Sequence, residues 1–109
     1  MKSEIKSGDE KVQRSFEKLK YFKGESDRLY KWIIRAFEDL EENAFCGIQI
    51  PKRLTPKEYI EKYNTTNLWK YNLPNAWRLI YTVKNSEISI LSIILEWMSH
   101  KDYEKRFRY

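Results

Sequence analysis

The sequence predicts an α+β fold in which two consecutive amphipathic helices pack on a small antiparallel sheet. Apolar residues recur at helical spacing through residues 9–43, then give way to alternating and continuous apolar runs between residues 68 and 97. Pro74-Asn75 and the polar stretch 84–87 cut those runs into strands joined by turns. The expected architecture is an N-terminal antiparallel helical hairpin on a three- to four-stranded antiparallel sheet, with a short C-terminal helix, in one domain spanning residues 1–109.

The first helix is carried by Val12, Phe16 and Leu19, the second by Leu29, Trp32, Ile33, Ala36, Phe37 and Leu40. Asp9 can cap the first and Gly24 can stop it, while Glu25 or Ser26 can open the second, so a short loop makes the pair a hairpin. Residues 47–51 read as an extended piece, and Thr55 followed by Pro56 at the first helical position opens a short helix through Tyr63. Residues 68–73 form a strand candidate. Residues 77–83 form a clearer one, with Trp77, Leu79, Tyr81 and Val83 on one face and Arg78, Ile80 and Thr82 on the other. Residues 88–97 are apolar on both faces, as befits a strand buried in the middle of a sheet. In the tail, Tyr103 and Phe107 stand four apart, which suits a short helix over residues 99–107. Residues 2–6 are a further strand candidate, short and polar.

At 109 residues, 41% of them apolar and 16% aromatic, the chain can build a genuine core. No run approaches the roughly eighteen apolar residues that a membrane span needs, and no leader pattern opens the chain. A cytoplasmic protein without membrane association is expected. The single cysteine, Cys46, cannot pair within the chain, and with His100 as the sole histidine there is no zinc-ligand set. Neither a metal nor another cofactor is expected, and Cys46 reads as a small core or loop residue.

The net charge of +5 is segregated. Residues 1–48 hold ten cations and ten carboxylates, and residues 85–109 hold four of each. The excess lies in residues 49–84, where Lys52, Arg53, Lys57, Lys62, Lys70, Arg78 and Lys84 face only Glu58 and Glu61. Local positive potential of this kind releases counterions from phosphates and steers their approach, so it points to a polyanion partner.

The run Asn67-Leu68-Trp69-Lys70-Tyr71-Asn72-Leu73-Pro74-Asn75-Ala76-Trp77-Arg78-Leu79-Ile80-Tyr81, followed by an apolar strand and Ser99-His100-Lys101-Asp102-Tyr103, resembles the carboxy-terminal half of toxins in the RelE/ParE superfamily. The aromatic-Arg-Leu-Ile-Tyr core is the specific part, and the resemblance covers residues 64–107, with the two helices matching in order alone. It implies a metal-free endonuclease of mRNA, ribosome-associated or free, held by a cognate antitoxin in a hetero-oligomer with a monomeric toxin. ParE-like members share the fold but act on DNA gyrase, and a catalytically inactive binding protein of the same fold is a further alternative. By resemblance, Arg78 corresponds to the arginine that contacts the scissile phosphate, and Lys70 falls near the preceding lysines. Lys101 or His100 stands where an arginine or histidine follows the last strand, and Tyr103 matches the terminal tyrosine. The family usually opens with a full edge strand, which residues 2–6 barely supply.

Metal-free RNA cleavage requires the 2′-hydroxyl to lose a proton, the 5′-oxygen to gain one, and the extra charge on phosphorus to be neutralised. Arg78 suits the phosphate because its planar fork can hold two oxygens and keeps its charge. Lys70 could serve as electrostatic stabiliser or base, His100 as general acid or base, and Tyr103 could stack on a base or share the proton transfer. Lys52, Arg53, Lys57, Lys62 and Lys84 are the expected RNA-binding cations. The bland alternatives are a solvated lysine-rich face, an Arg78 paired with Glu96 or Asp102 across the sheet, and Tyr103 with Phe107 as plain core residues.

Overall fold

The computed structural model describes residues 1–19, 21, 25–85 and 90–107. Within them the chain forms five strands and four α-helices: β1 (Glu4–Ser7), α1 (Glu10–Leu19), α2 (Glu25–Glu42), β2 (Ile48–Gln49), α3 (Lys57–Tyr63), β3 (Leu68–Asn72), β4 (Arg78–Asn85), β5 (Ile90–Met98) and α4 (His100–Phe107). The strands make one sheet in the order β1-β5-β4-β3-β2. The pairs β2–β3, β3–β4 and β4–β5 are antiparallel. The sheet as a whole is mixed, because β1 runs parallel to β5, with Ile5 opposite Ser92.

Two expectations are corrected here. The sheet is five-stranded and mixed, where a three- to four-stranded antiparallel one was expected. Nor does the chain open on a helical hairpin, because β1 precedes both helices and lies on the sheet edge. The α1 and α2 helices do touch through Phe16, whose ring lies 5.2 Å from Tyr30 and 5.3 Å from Phe37. The Gly24 stop, the start of the last strand at Ile88 and residues 86–87 of the expected turn lie outside the described residues, while Lys84 and Asn85, expected in that turn, instead continue β4 opposite Leu91 and Ile90.

Asp9 caps α1 as its position foretells, its Oδ1 accepting the Val12 amide at 2.9 Å. Pro56 sits at the N-cap of α3 rather than at its first helical position, and Thr55 supplies no side-chain cap. The helix ends on Asn64 in the left-handed region (φ 51°), a conformation asparagine tolerates better than most residues. Between β3 and β4, Pro74–Ala76 makes a 3-10 turn in which Asn75 and Ala76 both take positive φ, 56° and 61°.

The alternation expected in β4 holds, and it divides two cores across the sheet. Leu79 and Tyr81 join Val12, Leu29, Ile33, Ala36, Leu40 and Ile94 beneath α1 and α2. Ile80 joins Ile50, Tyr59, Leu68, Leu95, Met98, Tyr103 and Phe107 beneath α3 and α4. Helices therefore cover both faces, and β5 with its neighbour β4 is buried between them, which is why residues 90–97 carry no polar face. A bulge interrupts that pair: Ile80 lies opposite Glu96 but Tyr81 lies opposite Ile94, leaving Leu95 as the extra residue. Leu95 and Glu96 both serve the α3–α4 side, the first in its core and the second bonded to Tyr59 at 2.6 Å. No helix among the described residues is long and apolar enough to cross a membrane.

Candidate active site

The site lies where β3 and β4 pass beneath the start of α4. Lys70 is opposite Ile80, and Asn72 is opposite Arg78, so Lys70 and Arg78 are diagonal neighbours on adjacent strands. The alternation that sends Leu68 and Ile80 into the α3–α4 core sends Lys70 and Arg78 to the same side.

From above, α4 supplies the ring that gathers them. Ser99 opens this helix, its Oγ accepting the Asp102 amide at 3.3 Å and its carbonyl the Tyr103 amide at 2.9 Å. Helical periodicity then aligns His100, Tyr103, Glu104 and Phe107. Tyr103 and Phe107 are buried, with ring centroids 4.7 Å apart, and anchor the helix to the sheet. Lys70 Nζ lies 5.0 Å from the centre of the Tyr103 ring and Arg78 Cζ lies 5.4 Å from it. Two cations over one aromatic ring gain from its quadrupole, about 0.5–2 kcal/mol for each depending on desolvation. That gain offsets part of their mutual repulsion.

Arg78 is half-buried, and no carboxylate lies in ion-pair range of it among the described residues. Its Nη1 donates a long bond of 3.4 Å to the Trp77 carbonyl, its Nη2 lies 3.5 Å from His100 Nδ1, and its buried Nε has no partner among the described residues. Glu96, the carboxylate that could have paired with Arg78, is taken instead by the Tyr59 hydroxyl at 2.6 Å and by Arg106 at 3.0 Å. Burial, followed by the neighbouring Glu96 carboxylate, pushes the Tyr59 hydroxyl well above the ordinary tyrosine range and keeps it a donor. On the other side of the imidazole, His100 Nε2 is 2.5 Å from Glu104 Oε1. Glu104 was not among the expected site residues, although its i, i+4 spacing from His100 is plain in the sequence.

Of the expected catalytic residues, the fold brings together Lys70, Arg78, His100 and Tyr103. Lys101 is exposed on α4 and makes no hydrogen bond, ion pair or ring contact among the described residues, so it stands beside the cluster rather than in it. The expected RNA-binding cations do not form one track. Lys84 lies six residues along β4 from Arg78, about 20 Å away at the rise of a strand. Lys62 is tied to Asp9 at 3.1 Å and lies over the Tyr63 ring. Lys52 and Arg53 are exposed on the turn leading into α3 and Lys57 on its first residue, and Arg53 and Lys57 share an open groove with Lys105 and Arg106 of α4. Cys46 is an exposed loop residue, and partial desolvation of its sulfur, followed by Asp39 nearby, holds its thiol above the usual range. Among the described residues no three His, Cys, Asp or Glu side chains are grouped to hold a metal.

Compared with known proteins, the chain matches no family model, no curated protein and no solved structure.

Proposed function

We propose that this chain is a metal-independent endoribonuclease of the RelE kind, the toxin of a toxin–antitoxin pair, acting on mRNA at the ribosome in the cytoplasm. The observation that carries the reading is the state of Arg78: a guanidinium with no carboxylate partner among the described residues, its Nε unsatisfied, facing the only imidazole in the chain. A buried cationic donor left open is costly unless something anionic completes it, and a phosphate oxygen does so. An internal ion pair would have favoured the structural alternative. Glu96 does not provide one, and Asp102 forms no salt bridge with Arg78.

The chemistry assigned to the cluster balances without further groups. His100 takes the proton of the 2′-hydroxyl as the 2′-oxygen bonds to phosphorus. The bond from phosphorus to O5′ then breaks with its electron pair on O5′, which takes a proton from the Lys70 ammonium, and exchange through water carries the imidazolium's proton back to the lysine. Arg78 holds the non-bridging oxygens while they carry the additional charge. The products are a 2′,3′-cyclic phosphate and a free 5′-hydroxyl. A small acidic or amphipathic antitoxin would cover this basic surface.

Purified protein incubated with ribosomes and message, with breaks mapped by primer extension, tests the reading. The wild type should cut, and Arg78→Ala should cut about 10²–10³-fold more slowly, the usual loss when a transition-state donor is removed. Intact message with wild type and variant alike rejects the assignment. Toxicity on expression accompanied by DNA damage, and not relieved by Arg78→Ala or His100→Ala, would place the target on gyrase. Harmless expression of folded protein would mark a catalytically inactive member.

A further inference from the structure

The imidazole of His100 is held from two different elements. On α4, Glu104 Oε1 lies 2.5 Å from Nε2, while from β4 Arg78 Nη2 approaches Nδ1 at 3.5 Å. These contacts have only one consistent proton arrangement on a neutral ring. A guanidinium has donors and no acceptor, so the nitrogen facing it must offer its lone pair. The proton is then on Nε2, where the Glu104 carboxylate accepts it. An i, i+4 pair of histidine and glutamate on an exposed helix is ordinary by itself. What sets this one apart is that the opposite nitrogen is turned toward the guanidinium with the open Nε, inside the cluster assembled by Tyr103.

We propose that Glu104 is a positioning residue, which keeps the proton of His100 on Nε2 and thereby presents the Nδ1 lone pair to the linkage held by Arg78. The inference rests on the nuclease reading for its functional consequence, and on the geometry alone for the tautomer. It assigns the proton-accepting atom: Nδ1 takes the 2′-hydroxyl proton, and the imidazolium so formed keeps its Nε2–H on Glu104. The carboxylate then faces a full positive charge, so its attraction grows as the reaction proceeds. Other charges near the ring are Lys101 and Asp102 on the same helix and Lys70 across the Tyr103 ring. The side chains of His100 and Glu104 are 53% and 51% exposed, which leaves room for a nucleotide to enter and makes Glu104 replaceable without disturbing the core.

The chain contains one histidine, so a ring-nitrogen NMR spectrum reads this imidazole alone. In alkaline solution, at about pH 9, wild-type protein without RNA should show the Nε2–H form. Glu104→Gln, whose amide oxygen can accept the same hydrogen bond, should retain that form, and Glu104→Ala should shift toward a mixture of the two. In the cleavage assay Glu104→Ala should lower kcat about tenfold with KM unchanged, a part of the 10²–10⁴-fold that a general base contributes. Glu104→Gln should recover most of that loss. An Nδ1–H form in the wild type, or spectra and rates for Glu104→Ala equal to those of the wild type, would overturn the proposal. If wild-type protein leaves RNA intact, the nuclease reading falls, and the spectrum still decides what Glu104 does.

Discussion

Asp9 shows how much one short side chain can tie together. Its Oδ1 accepts the Val12 amide at 2.9 Å and caps α1, while its Oδ2 accepts from the Tyr63 hydroxyl at 3.0 Å and faces Lys62 at 3.1 Å. The backbone donor of Val12, helped by Lys62 and Tyr63 against the cost of burial, holds its carboxyl below the usual carboxylate range. A lowered folded-state pKa gives stability that is full above the unfolded value of about 3.9 and disappears as pH falls through the folded one. Asp9→Ala should therefore cost about 1–2 kcal/mol at neutral pH, the price of a lost cap and its partners, as measured by urea denaturation. The gap between the two proteins should narrow on acidification, and a gap constant with pH would mean that the carboxylate charge contributes nothing. Ala76 holds strain in the turn between β3 and β4. At φ 61° its Cβ sits in a region costing an L-residue roughly 1–2 kcal/mol, two positions ahead of Arg78. Ala76→Gly should raise stability by up to about 1 kcal/mol, because relief of that strain is offset by the larger entropy glycine loses.

Among the elements, β2 depends most on a single close approach. A Cβ on Gly47 would lie 2.5 Å from both the Lys70 carbonyl and the Tyr81 hydroxyl, so no other residue fits without displacing β3. Tyr81 clamps this segment, accepting the Gly47 amide at 3.1 Å and donating to the Ala44 carbonyl at 2.9 Å from a fully buried position. Gly47→Ala should destabilise by on the order of 1–3 kcal/mol, and Tyr81→Phe by a similar amount through the two backbone groups it leaves unpaired. Thermal denaturation of each measures this, and an unchanged midpoint for Gly47→Ala would show that the edge gives way freely. The sequence made the interior elements legible because their pattern is their burial: the alternation of Leu79, Ile80 and Tyr81 is the division between the two cores. It made β1 nearly invisible, since an edge strand covered mainly through Ile5 needs few apolar residues and takes its hydrogen bonds from β5. The bulge at Leu95 was hidden for another reason. Both faces of β5 are buried, so a shift in alternation leaves no polar residue out of place.

Across the whole molecule, the excess positive charge is contiguous in sequence and scattered in space. The antiparallel crossing of β3 and β4 folds Lys70 and Arg78 together, but the length of β4 carries Lys84 to its far end and α3 brings Lys62 to Asp9. Arg78, His100 and Tyr103 were singled out by the resemblance, and the hydrophobic pattern fixes the strand end or helix start beside each. It could not apportion the lysines, whose partners depend on tertiary contacts between elements far apart in the chain. The distinction is measurable with an RNA whose ribose 2′-hydroxyls are methylated, which the proposed chemistry cannot cleave. Each phosphate neutralised on a single strand contributes about 0.7 to the slope of log affinity against log salt. Arg78→Ala and Lys70→Ala should each reduce the slope by about that amount, and Lys84→Ala should leave it unchanged. Arg53→Ala and Lys57→Ala read out whether the groove they share with Lys105 carries the strand onward. Equal losses from Lys84→Ala and Arg78→Ala would mean that RNA feels the summed field of the protein rather than a built site, and Arg78 would then lose its claim to the scissile phosphate.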